Sequence, residues 1–320
     1  MKIFKNESVK IIMKVLVTGS SGMVGRNILD HNKAHDHNVL SPSSNELNLL
    51  LYENVIQYLN KHKPDIIIHC AGKVGGIQAN LREPVKFLLD NLDMGRNLVW
   101  AAYQAGITRL INLGSSCMYP RNTQNPLRED DILKGELEPT NEGYAIAKVA
   151  TAKLCDYIHK EYPTYSYKTM IPCNLYGKWD KFDPDASHLI PAVIRKVYIA
   201  KQLNESSVEI WGDGQARREF MYAADLADCI WHGVENFESL PFLMNVGLGY
   251  DFSINEYYEA AAKIIGFEGG FIHNLDKPVG MKQKLVDITK QTAWGWRPAT
   301  TLSDGITRTF EHFLMREERK

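Results

Sequence analysis

No uninterrupted apolar run in the 320 residues approaches the roughly 18–20 that a membrane-spanning helix needs. Nor is either charge in excess. Lys and Arg total 37 and Asp and Glu total 38, a formal net charge of −1. That balance argues against the broad basic face of nucleic-acid and membrane-surface binders, while leaving room for a local basic pocket. Cysteine is sparse: Cys70, Cys117, Cys155, Cys173 and Cys229 are an odd number with no CxxC pair. This excludes a disulfide framework or a zinc site and points to free thiols in a reducing, cytoplasmic setting. There is no repeat, no low-complexity tract and no obvious linker, and the aromatic fraction of 10% speaks against disorder. Met1–Ile12 carries lysines but neither the apolar core nor the cleavage site of a secretory signal. Residues 1–12 are therefore expected to be a poorly ordered extension, and Met13 is a candidate native start.

What is present is an alternation of short apolar strands and amphipathic helices. Strands are expected at Lys14–Thr18, His37–Leu40, Asp65–His69, Arg109–Leu113 and Tyr167–Ile171. Helices are expected from Gly22 to about Asp30, at Glu53–His62 and Pro84–Ala105, and from Glu142 to about Tyr162. Such alternation predicts an α/β fold of the Rossmann type, a doubly wound parallel sheet covered on both faces. After Asn174 the rhythm becomes shorter and mixed. Helices are expected at Ile190–Leu203, Ala224–Glu235, Asn255–Ile265 and Leu302–Met315, with a strand at Val208–Trp211. The expected organisation is a dinucleotide-binding part over 13–175 and a smaller mixed α/β substrate lobe over 176–320, with some chain crossing between them.

Three motifs carry chemistry. Gly19-Ser20-Ser21-Gly22-Met23-Val24-Gly25 follows the first strand and opens a helix. Its glycines allow a tight turn and close approach of backbone to a pyrophosphate, whose charge the helix N-terminus stabilises. In strand–loop–helix register this outweighs a plain Gly-rich turn. Tyr144-Ala145-Ile146-Ala147-Lys148 puts Tyr and Lys on one helical face, where a lysine charge would lower the phenol toward neutrality. Alone, such a pair is more often surface decoration. Gly114-Ser115-Ser116-Cys117-Met118-Tyr119-Pro120 follows the fourth strand, at the sheet end where such folds bind ligands. If the chain stays extended there, Ser115 and Cys117 point the same way and Ser116 the other. The usual fate of a free cysteine is a small buried hydrophobe.

Glycine loop, Ser115 and YxxxK together resemble the extended short-chain dehydrogenase/reductase superfamily, and within it the GDP-L-fucose synthase family, GDP-4-keto-6-deoxy-mannose 3,5-epimerase/4-reductases. The similarity spans residues 14 to about 315. It is most specific at Glu46–Leu50, Lys73–Ile77, Gly114–Pro120, Leu137–Glu142, Asn174–Gly177, Trp211-Gly212 and Arg218-Glu219-Phe220. The resemblance implies that Tyr144 protonates the C4 oxygen, that Ser115 polarises the C4 carbonyl, and that Lys148 holds the nicotinamide ribose and tunes Tyr144. It implies Cys117 as the epimerisation base and His188, in Asp185–Pro191, as the acid. A low thiol pKa is required of Cys117 for that role. The implied cofactor shell is Gly19, Ser21, Gly22, Met23, Val24, Gly25, Ala71, Gly72, Asn91 and Lys148. The implied substrate contacts are Asn174, Trp211, Arg218 and Lys284. Arg218 is the diphosphate candidate and Trp211 the nucleobase neighbour; Lys284 could equally be a solvated surface charge.

The family's preference for NADP(H) meets a departure here. The loop and the end of the second strand read Ser20-Ser21 and Ser41-Pro42-Ser43-Ser44, without arginine. No acid follows that strand to engage the ribose hydroxyls of NAD. NADP(H) is the expected cofactor and NAD(H) stays open. No metal is expected. Three functions compete: a bifunctional epimerase/reductase, a C4 reductase acting on a GDP-4-keto-6-deoxy-heptose, and a non-enzymatic cofactor-sensing binder. The last usually loses the Tyr or Lys that this chain keeps. Superfamily resemblance further implies a homodimer through the helices Pro84–Ala105 and Glu142–Tyr162.

Overall fold

The computed structural model describes residues 11–183, 187–277 and 281–318. The expected extension at 1–12 therefore falls almost wholly outside the described residues, as do Asp185 and Ala186.

The strands are β1 Lys14–Thr18, β2 Asn38–Leu40, β3 Ile66–His69, β4 Arg109–Leu113, β5 Ser166–Pro172, β6 Asn174–Tyr176, β7 Ser207–Trp211, β8 Arg217–Arg218, β9 Phe220–Tyr222, β10 Leu243–Val246, β11 Phe252–Ser253, β12 Gly270–Asn274 and β13 Gln283–Lys284. The α-helices are α1 Met23–Asp30, α2 Tyr52–His62, α3 Ile77–Arg82, α4 Pro84–Gln104, α5 Glu142–Glu161, α6 Leu189–Gln202, α7 Ala223–Glu235, α8 Ile254–Ile265, α9 Thr289–Trp294 and α10 Leu302–Glu317.

Six parallel strands form the main sheet in the order β10-β5-β4-β3-β1-β2. Val15, Leu16, Val17, Ile66, Ile67 and Ile68 are wholly buried, because helices cover both faces of these strands. The chain leaves β1 toward β2 and returns to β3 on the other side. The crevice at the carboxyl ends of β1 and β3 is thus the switch point where doubly wound sheets take ligands. The β1 and β3 loops touch there: a Cβ on Gly19, which sits at φ +69°, would stand 2.6 Å from Ala71 Cα.

Two elements from beyond residue 175 join the first part of the chain. The sixth strand, β10, comes from beyond residue 175 and pairs with β5 from Leu243↔Thr169 to Val246↔Pro172. Helix α7 packs on α1, with Trp231 buried and its indole donating to the Ile28 carbonyl at 3.0 Å. The segment Lys73–Asn80 runs into the short helix α3. The remaining chain builds a second core around α6, α8 and α10 with the parallel pair β7-β12. Its links to the main sheet are β6-β9 and the three-stranded β11-β8-β13.

Helices α4 and α5 pack closely because Gly95 leaves no side chain against Thr151; a Cβ there would collide with the Thr151 side chain. This contact sets the height of α5, which carries Tyr144 and Lys148.

Candidate active site

The glycine loop has the geometry its sequence asks for. Gly22 N–H donates to Gly19 O at 3.0 Å, and a Cβ on Gly25 would collide with the Gly19 carbonyl. Helix α1 starts with no side-chain cap at Gly22 and no acid in its first turn. Its leading N–H groups are therefore left to an exogenous anion, which fits a pyrophosphate. Ser20 Oγ donates to the carbonyls of Ser41 and Pro42, each at 3.3 Å. Arg26 donates to Ser21 O at 3.0 Å and stacks on Trp179. Glu46, beyond the second strand, is bound by Ser43 N and Oγ at 2.8 Å each.

At the end of β4 the chain does not stay extended. Ser115 Oγ accepts the Cys117 N–H at 3.3 Å and caps a single 3₁₀ turn, Ser116–Met118. This corrects the alternation expected for Ser115 and Cys117: a serine hydroxyl competing for local backbone turns the chain. Ser116 is buried, while Cys117 stays partly exposed at the site.

Tyr144 lies beside Ser115 and Cys117, close enough for both to act on its phenol. Lys148, one turn along α5, donates to Leu113 O at 2.9 Å and sits 5.8 Å from the Tyr144 ring centroid. Burial pushes Lys148 down to about 8. Burial, and then the Cys117 charge, push the Tyr144 phenol well above its usual value, against the opposing effect of Ser115. The expected lowering by Lys148 is thus reversed in the protein alone: the phenol keeps its proton, which suits an acid. Gly72 leaves room here, since a Cβ would lie 3.7 Å from Lys148 Nζ and 3.2 Å from Asn91 Oδ1. Asn91 spends its amide on the loop, accepting from Lys73 N and donating to Lys73 O and Phe87 O. Nearby His69 is held neutral, pushed down to about 3 by burial and then by the Lys148 charge.

Cys117 Sγ accepts a hydrogen bond from Asn141 Nδ2 at 3.1 Å and has Lys284 Nζ at 3.6 Å. Lys284 therefore reaches Cys117 in the fold and is not a solvated surface charge. His188 caps α6 and pairs with the buried Asp180 at 3.6 Å. The Ser187 carbonyl lies 3.8 Å from where a Gly76 Cβ would be, and α3, which follows Gly76, packs on the Pro139–Asn141 turn. Thus the His188 and Asn141 segments meet the same short helix.

Asn174 donates to Glu219 O at 3.0 Å, beside the partly buried Arg218. Trp211 presents a half-exposed indole (46%) with Lys196 and Lys277 ammonium groups 5.5 and 5.4 Å from its ring. Lys196, Lys277, Asp180 and the side-chain role of Asn141 were not found from sequence. Lys196 follows His188 by eight positions on α6, a helical spacing that a search from His188 would have reached. Among the described residues there is no group of three or more His, Cys, Asp or Glu able to hold a metal ion, and no helix long and apolar enough to cross a membrane.

The model of the family described as "NAD dependent epimerase/dehydratase family" matches residues 15–247. A GDP-L-colitose synthase of Yersinia pseudotuberculosis is 55% identical over 94% of this chain and 98% of its own. A GDP-L-fucose synthase of Azorhizobium caulinodans is 48% identical over 95% and 97%. Among solved structures, a GDP-mannoheptose C4 reductase from Campylobacter jejuni with NADP bound superposes with a TM-score of 0.86 at 29% identity, covering 96% of this chain and 100% of that one.

Proposed function

Because this chain belongs to the NAD dependent epimerase/dehydratase family and aligns almost end to end with GDP-L-fucose and GDP-L-colitose synthases, we propose that it reduces C4 of a GDP-4-keto-6-deoxy sugar with NADPH and epimerises the carbons beside that ketone. The observation that carries this reading is the position of Cys117. Cys117 is bonded through its N–H to Ser115 Oγ and neighbours Tyr144, so a base for a carbon next to the carbonyl and a donor to the carbonyl oxygen share one site.

A nicotinamide cofactor held in the Gly19–Gly25 cradle would supply the hydride for C4. The residues supply the rest. Ser115 donates to the C4 oxygen and Tyr144 delivers the proton that oxygen needs as it gains charge. Lys148 holds the ribose. The ketone acidifies the neighbouring C–H bonds, Cys117 removes a proton, and His188 returns one from the opposite face. Arg218 and Asn174 bind the diphosphate end, and Trp211 with Lys196 and Lys277 faces the nucleobase. Gly19, Ser21, Gly22, Met23, Val24, Gly25, Ala71 and Gly72 form the dinucleotide cradle, with Asn91 fixing its far loop. NADP(H) is the cofactor: no free carboxylate ends β2, and Glu46 is already bound to Ser43.

The GDP-L-colitose synthase identity favours a second substrate. Colitose is a 3,6-dideoxy sugar, so only C5 would then be inverted. Incubation in D₂O with each GDP-keto sugar and no NADPH separates the cases. Deuterium at C3 and C5 supports the fucose-type reaction and deuterium at C5 of the dideoxy sugar the colitose-type. No wash-in at either carbon overturns epimerase activity and leaves the C4 reductase, as for the heptose enzymes.

We place residues 13–175 and 176–320, with chain crossing, as cofactor and substrate parts. The five free thiols support a reducing, cytoplasmic location. A homodimer is supported by apolar side chains left exposed on α4 and α5: Val85 (66%), Leu89 (48%), Trp100 (41%), Ile146 (43%) and Tyr157 (59%).

A further inference from the structure

An asparagine at a helix N-cap ordinarily accepts a hydrogen bond from its own first turn. Asn141 caps α5 and makes no such bond. Its amide turns instead to Cys117, donating from Nδ2 to Sγ at 3.1 Å, while its Oδ1 is buried with no hydrogen-bond partner. The same sulfur has Lys284 Nζ at 3.6 Å. Both neighbours present donors only. Neither, as placed, accepts an S–H, and sulfur is a weak acceptor until it is an anion. A local rule is broken at a functional position, and the broken bond is redirected to the one group whose charge the chemistry needs.

We infer that Asn141 is a positioning residue for epimerisation: with Lys284 it forms a cradle that holds Cys117 as a thiolate, aimed at the carbon beside the C4 ketone. This rests on the epimerase reading above. The thiolate sulfur takes the proton from that carbon. The C–H electron pair becomes the new C=C bond to C4, and the carbonyl pair moves onto the C4 oxygen as an enolate. Cys117 is left as S–H, reprotonation from the opposite face inverts the centre, and the thiol returns its proton to solvent. As S–H forms, Asn141 and Lys284 lose their anionic partner, which favours proton release for the next cycle. Because Asn141 caps the helix bearing Tyr144 and Lys148, one residue ties the base to the reducing pair.

The test uses the full-length protein with Asn141→Ala, Asn141→Asp and Asn141→Ser, the last keeping a good N-cap. Three quantities are read: ultraviolet thiolate absorbance relative to Cys117→Ala, iodoacetamide alkylation of Cys117 at pH 7 by peptide mass spectrometry, and deuterium wash-in from GDP-4-keto-6-deoxy-mannose. Hydride transfer to the already epimerised keto sugar is the reference. Loss of a charge-assisted donor predicts roughly a tenfold fall in thiolate signal and wash-in, exceeding any loss in hydride transfer by about the same factor. Asn141→Asp, which offers oxygens to an S–H, should fall further than Asn141→Ala, and Asn141→Ser should fall while keeping the wild-type melting temperature. Wild-type thiolate signal and alkylation in all three variants overturn the cradle; if Cys117→Ala still abolishes wash-in, the epimerase reading survives alone. Absence of wash-in in the wild type defeats that reading, and the thiolate signal still decides the cradle.

Discussion

Asp180 and His188 face each other at ion-pair distance, the carboxylate buried and the imidazole 40% exposed, with 3.6 Å between Oδ1 and Nδ1. Oδ1 also accepts the Lys181 N–H at 2.7 Å, and the other Asp180 oxygen has no hydrogen-bond partner. The buried carboxylate holds the ring of the histidine proposed to deliver a proton. Replacing Asp180 by Asn is expected to slow C5 inversion roughly tenfold, with a stability change under about 1 kcal/mol because the histidine is solvated. NMR of the product and a denaturant melt read the two effects; equal inversion rates would remove Asp180 from the reaction.

Lys148 gives a second prediction. Burial depresses it to about 8, whereas an unfolded lysine titrates near 10.5. Below about 8 both states are protonated and the folded state bears the full cost of a buried charge. As pH rises from 8 to 10.5 the unfolded chain holds more protons, so stability rises across that window. Lys148→Met should therefore raise the melting temperature at pH 7, by about 2 kcal/mol of stability, while NADPH turnover is lost. In the cofactor-free protein, NADPH affinity should weaken as pH passes 8.

A third concerns Glu219, fully buried and pushed up to about 7 by desolvation. Its Oε1 accepts Leu248 and Gly249 N–H at 2.6 and 3.0 Å, and Oε2 accepts Val286 N–H at 2.9 Å. It thereby pins the strand that carries Lys284. The folded state holds the proton more tightly than the unfolded one, so this group's contribution to stability falls as pH rises from about 4.5 to 7. Glu219→Gln faces its amide against an N–H and should cost about 1–3 kcal/mol. Its urea midpoint should lose that pH slope; an unchanged slope would place the titration elsewhere.

Gly95→Ala is the fourth. The new methyl meets Thr151 head-on, prising α4 from α5. Overpacking of this kind costs about 1–3 kcal/mol. Gly95→Ala with Thr151→Ala should recover most of it, and a cycle showing simple additivity would refute the contact as the cause.

Leu89→Arg combined with Tyr157→Glu is expected to shift the species seen in light scattering from dimer to monomer. A wild-type monomer, or a double variant that remains dimeric, rejects the α4–α5 face as the interface.

The sequence was most legible where structure and chemistry are both local. Strand β1, the Gly19–Gly25 loop and α1 follow from neighbours in the chain, as does the shared face of Tyr144 and Lys148. Legibility failed where partners are distant. Leu243–Val246 is a short apolar run whose role as the sixth strand exists only beside β5. Lys284 resembles any surface lysine until β13 brings it to Cys117. Asn141 stood inside a recognised motif, yet its departure from capping is invisible without the sulfur above it. The Ser115–Cys117 error was local: the serine's own hydroxyl bent a backbone that alternation treats as straight.

The late arrival of β10 also bears on biogenesis. A ribosome must deliver residue 246 before β5 can gain its outer neighbour. Until then an apolar edge of the nascent sheet stands unpaired, and closing it requires a contact distant in sequence, which slows folding and invites association. A fragment ending near residue 175 is thus an unfinished sheet, and chaperone dependence during synthesis should end only once α7 and β10 have emerged.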